Sequence, residues 1–151
     1  MKKSLLLLLI FGSFFATGHV DAQFRSIPGI VTDSFKVRYP NAKSVNWLDN
    51  ISNFKATFML DTSKYTAKYS SKGEWLGSSK RINQDALPAS VKDGLSKSMY
   101  AGAPWQIRMV MMYYLPGNVT QYVVQVAKSD FQKKNLLFNS DGVMLKDNST
   151  L

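Results

Sequence analysis

The chain has 151 residues, with 19 Lys and Arg, 10 Asp and Glu, one His and no Cys, which gives a net charge of +9. This length suits one domain or two very small ones. A content of 45% hydrophobic and 19% charged residues is typical of a globular protein and excludes a disordered tail or a coiled coil. Without Cys the fold has no disulfides, so a hydrophobic core must hold it together.

The N-terminal segment 1–22 has the pattern of a bacterial export signal. Lys2 and Lys3 precede an apolar run over residues 5–15, and Val20-Asp21-Ala22 forms a small-x-small cleavage site. The apolar run is too short to cross a bilayer, which needs about 20 residues. We therefore expect cleavage between Ala22 and Gln23, a mature chain of charge +8 without a transmembrane anchor, and a periplasmic or secreted location.

Two segments carry the same helical pattern at a constant offset in residue number. Each begins with an apolar residue and Pro, and continues with apolar residues at every fourth position: Ile27-Pro28, Val31, Phe35 and Tyr39 in the first, and Leu87-Pro88, Val91, Leu95 and Met99 in the second. This spacing places the apolar residues on one helix face. Because Pro suits the first turn of a helix, the pattern predicts two amphipathic helices.

Alternating strands and a hairpin follow each predicted helix. Trp47 and Trp105 each precede segments in which every second residue is apolar. Each copy ends in a hairpin, with Gly73 and Gly142 at positions that need a positive φ. The second copy has a longer strand at residues 106–114. Each copy therefore predicts a helix followed by three or four antiparallel strands.

These patterns predict an α+β fold built as a tandem repeat. After the signal peptide at residues 1–22, the first repeat covers residues 23–84 and the second covers residues 85–151, and the two form one compact unit. One helix can cover only one face of a sheet. We therefore expect two sheets edge to edge, with both helices on the same face and the opposite face exposed.

The order of these motifs resembles the PepSY-like, beta-lactamase-inhibitor-like family of exported bacterial proteins. The residues that carry the resemblance are Val31, Phe35, Tyr39-Pro40, Ala42, Val45, Trp47, Lys72-Gly73-Glu74-Trp75, Leu87-Pro88 and Phe138-Asn139-Ser140-Asp141-Gly142. They span nearly the whole mature chain, and their order is more specific than any one motif. The resemblance implies a fold similar to that of a tandem-repeat inhibitor of beta-lactamases. It also implies a periplasmic or secreted binding module, by analogy with PepSY modules that restrain peptidases.

The residue types argue against catalysis. His19 leaves with the signal, so the predicted mature chain has neither His nor Cys and cannot form a Ser-His-Asp, Cys-His or zinc site. Its carboxylates are scattered singly, and it has no Gly-rich phosphate loop. We therefore predict no enzyme, no catalytic residue, no cofactor and no metal site.

Three methionines leave a metal alternative open. Met109, Met111 and Met112 carry thioethers, which suit Cu(I). The simpler interpretation is that Met109 and Met111 fill a core face together with Ile107, since Met packs adaptably.

The basic charge allows three interpretations, two of which involve a partner. Nucleic acid binding conflicts with export, and no run of Lys and Arg exceeds two residues. The charge can instead attract anionic lipid or lipopolysaccharide, or serve only to keep the surface solvated.

Strand alternation predicts the composition of the exposed sheet face. In the first copy Phe54, Ala56 and Phe58 point toward the helix, and in the long strand Ile107, Met109 and Met111 point away from the exposed face. The candidate binding residues on the exposed face are Lys55, Lys68, Arg108, Met112, Tyr114 and Gln125. We therefore expect a non-catalytic exported module that binds or inhibits a protein or peptidase partner through this face. The alternative is an envelope-surface domain held electrostatically on anionic lipid or lipopolysaccharide.

Overall fold

The computed structural model describes residues 26–150, so the predicted signal peptide and its cleavage site at Ala22 and Gln23 lie outside the described residues. The elements are α1 (Gly29–Arg38), β1 (Lys43–Asn50), β2 (Asn53–Leu60), β3 (Ser63–Tyr69), β4 (Trp75–Ile82), α2 (Ala89–Ser96), β5 (Gln106–Leu115), β6 (Val119–Ala127), β7 (Lys133–Asn139) and β8 (Met144–Thr150). Single 3₁₀ turns lie at Gln84–Ala86 and Pro116–Asn118. The predicted succession of a helix and then antiparallel strands is present in each half, with four strands in both.

The strands form one antiparallel sheet of eight strands in the order in which they occur along the chain. The two halves meet where β4 pairs with β5, from Ser78 opposite Tyr114 to Ile82 opposite Val110. The chain therefore has an α+β fold with two helices and a continuous eight-stranded sheet, where two sheets set edge to edge were expected.

Both helices lie on the same side of this sheet. Residues directly opposite each other in an antiparallel pair share a face. A row of such pairs crosses the sheet from the core under α1 to the core under α2, through Phe58, Tyr65, Lys80, Met112, Tyr122 and Phe138. Because Phe58 packs with residues of α1 and Phe138 packs with residues of α2, the two helices cover one face of the sheet.

The core under α1 is rich in aromatic rings. Val31 and Phe35 of α1 are buried against β2 and β3. The ring of Phe35 lies 4.9 Å from that of Phe58 and 5.3 Å from that of Trp47, both in edge-to-face geometry. Burial of a side chain such as Phe58, which is 1% exposed, stabilises the fold by about 1.5–3 kcal/mol.

The core under α2 is mostly aliphatic. Val91 of α2 is fully buried against a set of strand residues that includes Val124, Leu136 and Phe138. The helix ends at Ser96, so the predicted fourth position of its apolar stripe, Met99, lies outside the helix and is 81% exposed. The second helix is therefore shorter than its sequence pattern indicated.

The hairpin glycines adopt the predicted backbone conformation. Gly73, between β3 and β4, has φ +81°, and Gly142, between β7 and β8, has φ +83°. L-residues other than Asn and Asp rarely adopt this region, because the Cβ atom would approach the carbonyl oxygen. These two turns fix the register of the hairpins that flank each helix.

Candidate functional site

The face of the sheet that lies opposite the helices forms one continuous surface, which we call the open face. Its members alternate with the core residues and are related to one another by cross-strand pairing: Asn46, Leu48, Lys55, Thr57, Met59, Lys64, Thr66, Lys68, Ser79, Arg81, Met109, Met111, Tyr113, Gln121, Val123, Gln125, Asn135, Leu137, Asn139 and Lys146. Helices α1 and α2 pack on the other side, so neither helix covers the open face.

An apolar row crosses the centre of the open face. Met111, Val123 and Leu137 lie directly opposite one another on β5, β6 and β7, and all three are half-buried. Arg81 on β4 and Lys146 on β8 continue the row at its two ends, and both are exposed. At about 4.8 Å between strands the row is about 19 Å long. An apolar centre bordered by charged side chains is the arrangement found in protein interfaces.

The part of the open face on β2 and β3 is basic. Lys55 lies directly opposite Lys68, and Lys64 occupies the same face further along β3. Like charges directly opposite each other on neighbouring strands destabilise the pairing. Among the described residues of the open face there is no carboxylate to neutralise them. This surface therefore has a positive potential and favours an anionic partner.

A pair of amide side chains lies toward the opposite end of the open face. Gln125 on β6 donates a hydrogen bond from Nε2 to Oδ1 of Asn135 on β7 over 3.2 Å. Met109 on β5 lies opposite Gln125 and extends the apolar row toward this amide pair. Along the sheet the open face thus carries lysines on β2 and β3, an apolar row at its centre, and this amide pair on β6 and β7, with Lys146 beyond it on β8.

Of the six predicted binding residues, three lie on the open face, two lie on the other side, and Arg108 lies in a β-bulge of β5. Lys55, Lys68 and Gln125 point away from the helices, as the alternation predicted. The prediction is wrong for Met112 and Tyr114, which lie on the side covered by the helices. Met112 packs against the core under α2.

A β-bulge at Arg108 explains this error. Ile107 lies opposite Val126 and Met109 lies opposite Gln125, so β5 has one more residue than β6 between these pairs. The extra residue, Arg108, is exposed and inverts the alternation that follows it. Of Ile107, Met109 and Met111, which were all expected on the core side, only Ile107 packs with the core.

Residues after the bulge consequently occupy the faces opposite to those predicted. Val110 is 2% exposed in the core, whereas Met109 and Met111 are on the open face. Met111 and Met112 point to opposite faces of the sheet, so the three methionines do not converge. Within residues 26–150 no group of three or more His, Cys, Asp or Glu side chains is placed to hold a metal ion.

Tyr114 instead belongs to a cluster between the two cores. The ammonium of Lys80 lies 5.1 Å from the ring centroid of Tyr65, in cation–π geometry. A hydrogen bond with Tyr65 raises the pKa of Lys80, and burial raises the pKa of Tyr114. Lys80 and Tyr114 therefore stay protonated at neutral pH, and the cluster joins the two halves on the helix side.

Several residues of the open face do not follow from single-strand patterns. Arg81, Tyr113, Val123, Leu137 and Lys146 become neighbours only when the register of β4–β8 is known. Their proximity could be found from the sequence by pairing these five strands one after another, starting from the β7–β8 hairpin that Gly142 marks.

Comparisons with known proteins identify the fold. No protein-family model matches the chain, and no curated protein matches its sequence. A BLIP-like protein from Bacteroides fragilis NCTC 9343 superimposes with a TM-score of 0.77 and 23% identity, covering 86% of this chain and 91% of that one. A DUF2874 family protein from Bacteroides ovatus ATCC 8483 superimposes with a TM-score of 0.76 and 24% identity, covering 82% and 88%.

A third solved structure, from Bacteroides eggerthii DSM 20697, is provisionally described as periplasmic and has a TM-score of 0.74 and 21% identity, with 82% of this chain and 89% of that one covered. No helix within residues 26–150 is both long and apolar enough to span a membrane. At these identities the likeness concerns the fold alone. The two helices and the eight-stranded antiparallel sheet therefore form a BLIP-like fold.

Proposed function

We propose that this protein is a non-catalytic exported module whose open face binds an acidic surface of a partner protein. The observation that carries the proposal is the composition of the open face. An apolar row of Met111, Val123 and Leu137 lies among cations, and none of the described residues of that face is a carboxylate. Apolar contacts would supply affinity and the cations would select and orient the partner.

The Lys55–Lys68 pair indicates that the partner carries negative charge where it contacts this surface. Two lysines directly opposite each other lower the stability of the unbound protein by about 0.2–1 kcal/mol relative to a neutral pair. A carboxylate of the partner placed between them would relieve this repulsion, so the relief would add to the binding free energy. An acidic partner is therefore favoured over a neutral one.

The size of the open face favours a folded protein over a small ligand. Eight strands at about 4.8 Å spacing make a face about 34 Å wide, and about six residues of each strand make it about 20 Å long. The resulting area is close to the roughly 800 Å² that each partner contributes to a standard protein interface. The face is also formed by one continuous sheet.

The proposal includes export and a duplicated architecture. Residues 1–22 act as a signal peptide that is cleaved after Ala22, and residues 23–84 and 85–151 are PepSY-like, beta-lactamase-inhibitor-like repeats. The BLIP-like fold and the likeness to a protein provisionally described as periplasmic support this assignment. The absence of His and Cys after Ala22 supports a role in binding or inhibition without catalysis.

Site-specific photocrosslinking tests the proposal. The protein is expressed from its full sequence in the bacterium that encodes it, with benzoylphenylalanine in place of Tyr113 on the open face. The control carries the same group in place of Val37, which is 85% exposed on α1. We expect a crosslinked protein partner at Tyr113 that is absent at Val37, that is acidic, and that is lost when Lys68→Glu is added.

Three outcomes would contradict the proposal. One is a partner captured equally from both positions, and another is a partner that still crosslinks after Lys68→Glu. The third is binding to vesicles of anionic lipid with no protein crosslinked at Tyr113, which would favour the envelope-surface alternative. Vesicle binding of that kind would weaken between low and physiological salt, since exposed charges are screened over about 8–10 Å.

A further inference from the structure

A cavity of about 590 Å³ lies on the helix side of the sheet, between α2 and the start of β5. Its lining includes the apolar and aromatic residues Leu87, Leu95, Tyr100, Trp105, Ile107 and Val126. Its volume falls within the range of small-molecule pockets, which is roughly 300–1,000 Å³, and its walls combine apolar and aromatic side chains with polar ones, as those pockets do. It is separate from the open face, because the sheet lies between them.

The first half of the protein fills the corresponding space with its own side chains. At the offset that relates the two helical patterns, Phe35 corresponds to Leu95, and at the offset that relates the central strands, Phe58 corresponds to Val126. In the first half these two phenyl rings pack edge to face at 4.9 Å. In the second half both positions are aliphatic, and both line the cavity.

The second half places aromatic rings beside this space from a different position. Trp47, whose ring lies 5.3 Å from that of Phe35, lies within β1, whereas Trp105 directly precedes β5. Trp105 contacts Tyr100 edge to face at 5.2 Å, and both residues line the cavity. The second half thus has partner rings for an aromatic group but lacks the group itself.

We propose that this cavity binds the ring of a small neutral aromatic molecule, in the place that Phe35 occupies in the first half. The inference rests on the proposed correspondence of the two halves and is independent of what the open face binds. Aromatic rings at about 4.5–7 Å prefer the edge-to-face and offset contacts that Trp105 and Tyr100 can offer.

The charges at the cavity mouth favour a neutral ligand. Asp85 and Lys92 both border the cavity, so the mouth has one carboxylate and one ammonium. The ammonium of Lys92 donates a hydrogen bond to the backbone carbonyl of Asp85 over 2.7 Å, which holds it at the mouth. With one charge of each sign, neither a cationic nor an anionic ligand is preferred electrostatically.

Fluorine NMR with fluoroindole as the probe tests the proposal on the exported protein. We expect a saturable shift and broadening of the fluorine signal. Leu95→Phe, which restores the ring found in the first half, should weaken binding by about tenfold or more, since it fills the pocket. Absence of saturable binding up to the solubility limit of the probe would overturn the proposal.

A second pair of variants tests the cavity without changing a core side chain. Ser96 is exposed at the cavity mouth and Lys97 is exposed beside it without lining the cavity. Ser96→Tyr should weaken probe binding about tenfold, whereas Lys97→Tyr should leave it within about twofold. Equal weakening by both variants, or unchanged binding in Ser96→Tyr and Leu95→Phe, would place the probe elsewhere and refute the site.

Discussion

Gly94 of α2 and Gly142 of the β7–β8 hairpin lie so close together that a Cβ atom on Gly94 would overlap the carbonyl oxygen of Gly142. The same hairpin is held to the helix by Ser90, whose hydroxyl donates to the carbonyl of Ser140 over 2.7 Å. The backbones of the helix and the hairpin are therefore in direct contact, and only glycine at position 94 permits it.

An equivalent contact joins α1 to the β3–β4 hairpin. A Cβ atom on Gly73 would lie 2.8 Å from the carbonyl oxygen of Ile30 and 2.9 Å from Oγ of Ser34. Ile30 and Ser34 correspond to Ser90 and Gly94 at the offset that relates the two helical patterns. The repetition of this helix–hairpin contact supports the proposed duplication of one ancestral unit.

Gly94→Ala should strongly destabilise the protein. The added methyl group would collide with backbone atoms of Gly142, which cannot move aside as the end of a flexible side chain can. We expect the free energy of unfolding to fall by about 3 kcal/mol, measured by urea denaturation.

Gly29→Ala is the matched control for this substitution. Gly29 begins α1, and a Cβ atom there would meet nothing within 4 Å. Because Ala loses less conformational entropy than Gly on folding, we expect an unchanged or slightly higher stability, by about 0.5 kcal/mol. A similar loss of stability in both variants would contradict the close approach of Gly94 and Gly142.

Tyr69→Phe should stabilise the protein. Tyr69 is fully buried, and its hydroxyl has no hydrogen-bond partner among the described residues. Removal of an unsatisfied buried hydroxyl should raise the free energy of unfolding by about 1 kcal/mol. Tyr39→Phe removes a hydroxyl that is hydrogen-bonded to Ser78 over 2.5 Å, so it should lower stability by a similar amount. If both variants change stability in the same direction, the assignment of the two hydroxyls is wrong.

Stability should fall at alkaline pH. Burial raises the pKa of Tyr69, and a hydrogen bond to Asp147 raises the pKa of Tyr100. Each tyrosine therefore holds its proton more tightly in the folded state. The part of the folding free energy that depends on these protons is complete below the unfolded pKa of about 10 and is lost as the pH rises toward the folded values.

Denaturation at a series of pH values from about 8 to 11 measures this loss. The decline should be less steep in Tyr69→Phe, because that variant has one tyrosine fewer to titrate with a raised pKa. Equal slopes for the wild type and Tyr69→Phe would show that Tyr69 does not contribute to the loss of stability at alkaline pH.

Lys68→Glu should raise stability while it abolishes partner binding. The substitution converts the repulsion between Lys55 and Lys68 into an attraction across the strands, worth about 0.2–1 kcal/mol. Thermal denaturation at low salt should show the gain, and the crosslink from Tyr113 should disappear. Lys128→Glu, which makes the same charge change in the exposed β6–β7 loop, should preserve the crosslink. Loss of the crosslink in both variants would indicate an effect of net charge alone.

Export should remove the N-terminal segment 1–22. Mass spectrometry of the protein purified after export should give an N-terminus at Gln23, and Ala22→Lys should retain the longer chain because signal peptidases require a small residue at that position. An unprocessed N-terminus in the wild type would contradict the assigned signal.

Local patterns predicted the elements of this fold well. The apolar stripe that includes Val31 and Phe35 correctly predicted α1, and Gly73 and Gly142 have the positive φ values that their hairpins require. These features depend on a few neighbouring residues, whose periodicity and steric limits are readable along the chain. The α+β class follows from them directly.

The arrangement of β5 depends on partners that are distant in sequence. Met109, Met111, Val110 and Met112 are all apolar, so both faces of the strand are compatible with a core, and alternation cannot distinguish them. The bulge at Arg108 arises from pairing with β6 and decides which residues face the helices. In the same way, hydrogen bonding between β4 and β5 makes one sheet from two halves. Local chemistry therefore specifies helices, strands and turns, whereas the open face is assembled by long-range strand register, since that register alone determines which side chains become neighbours.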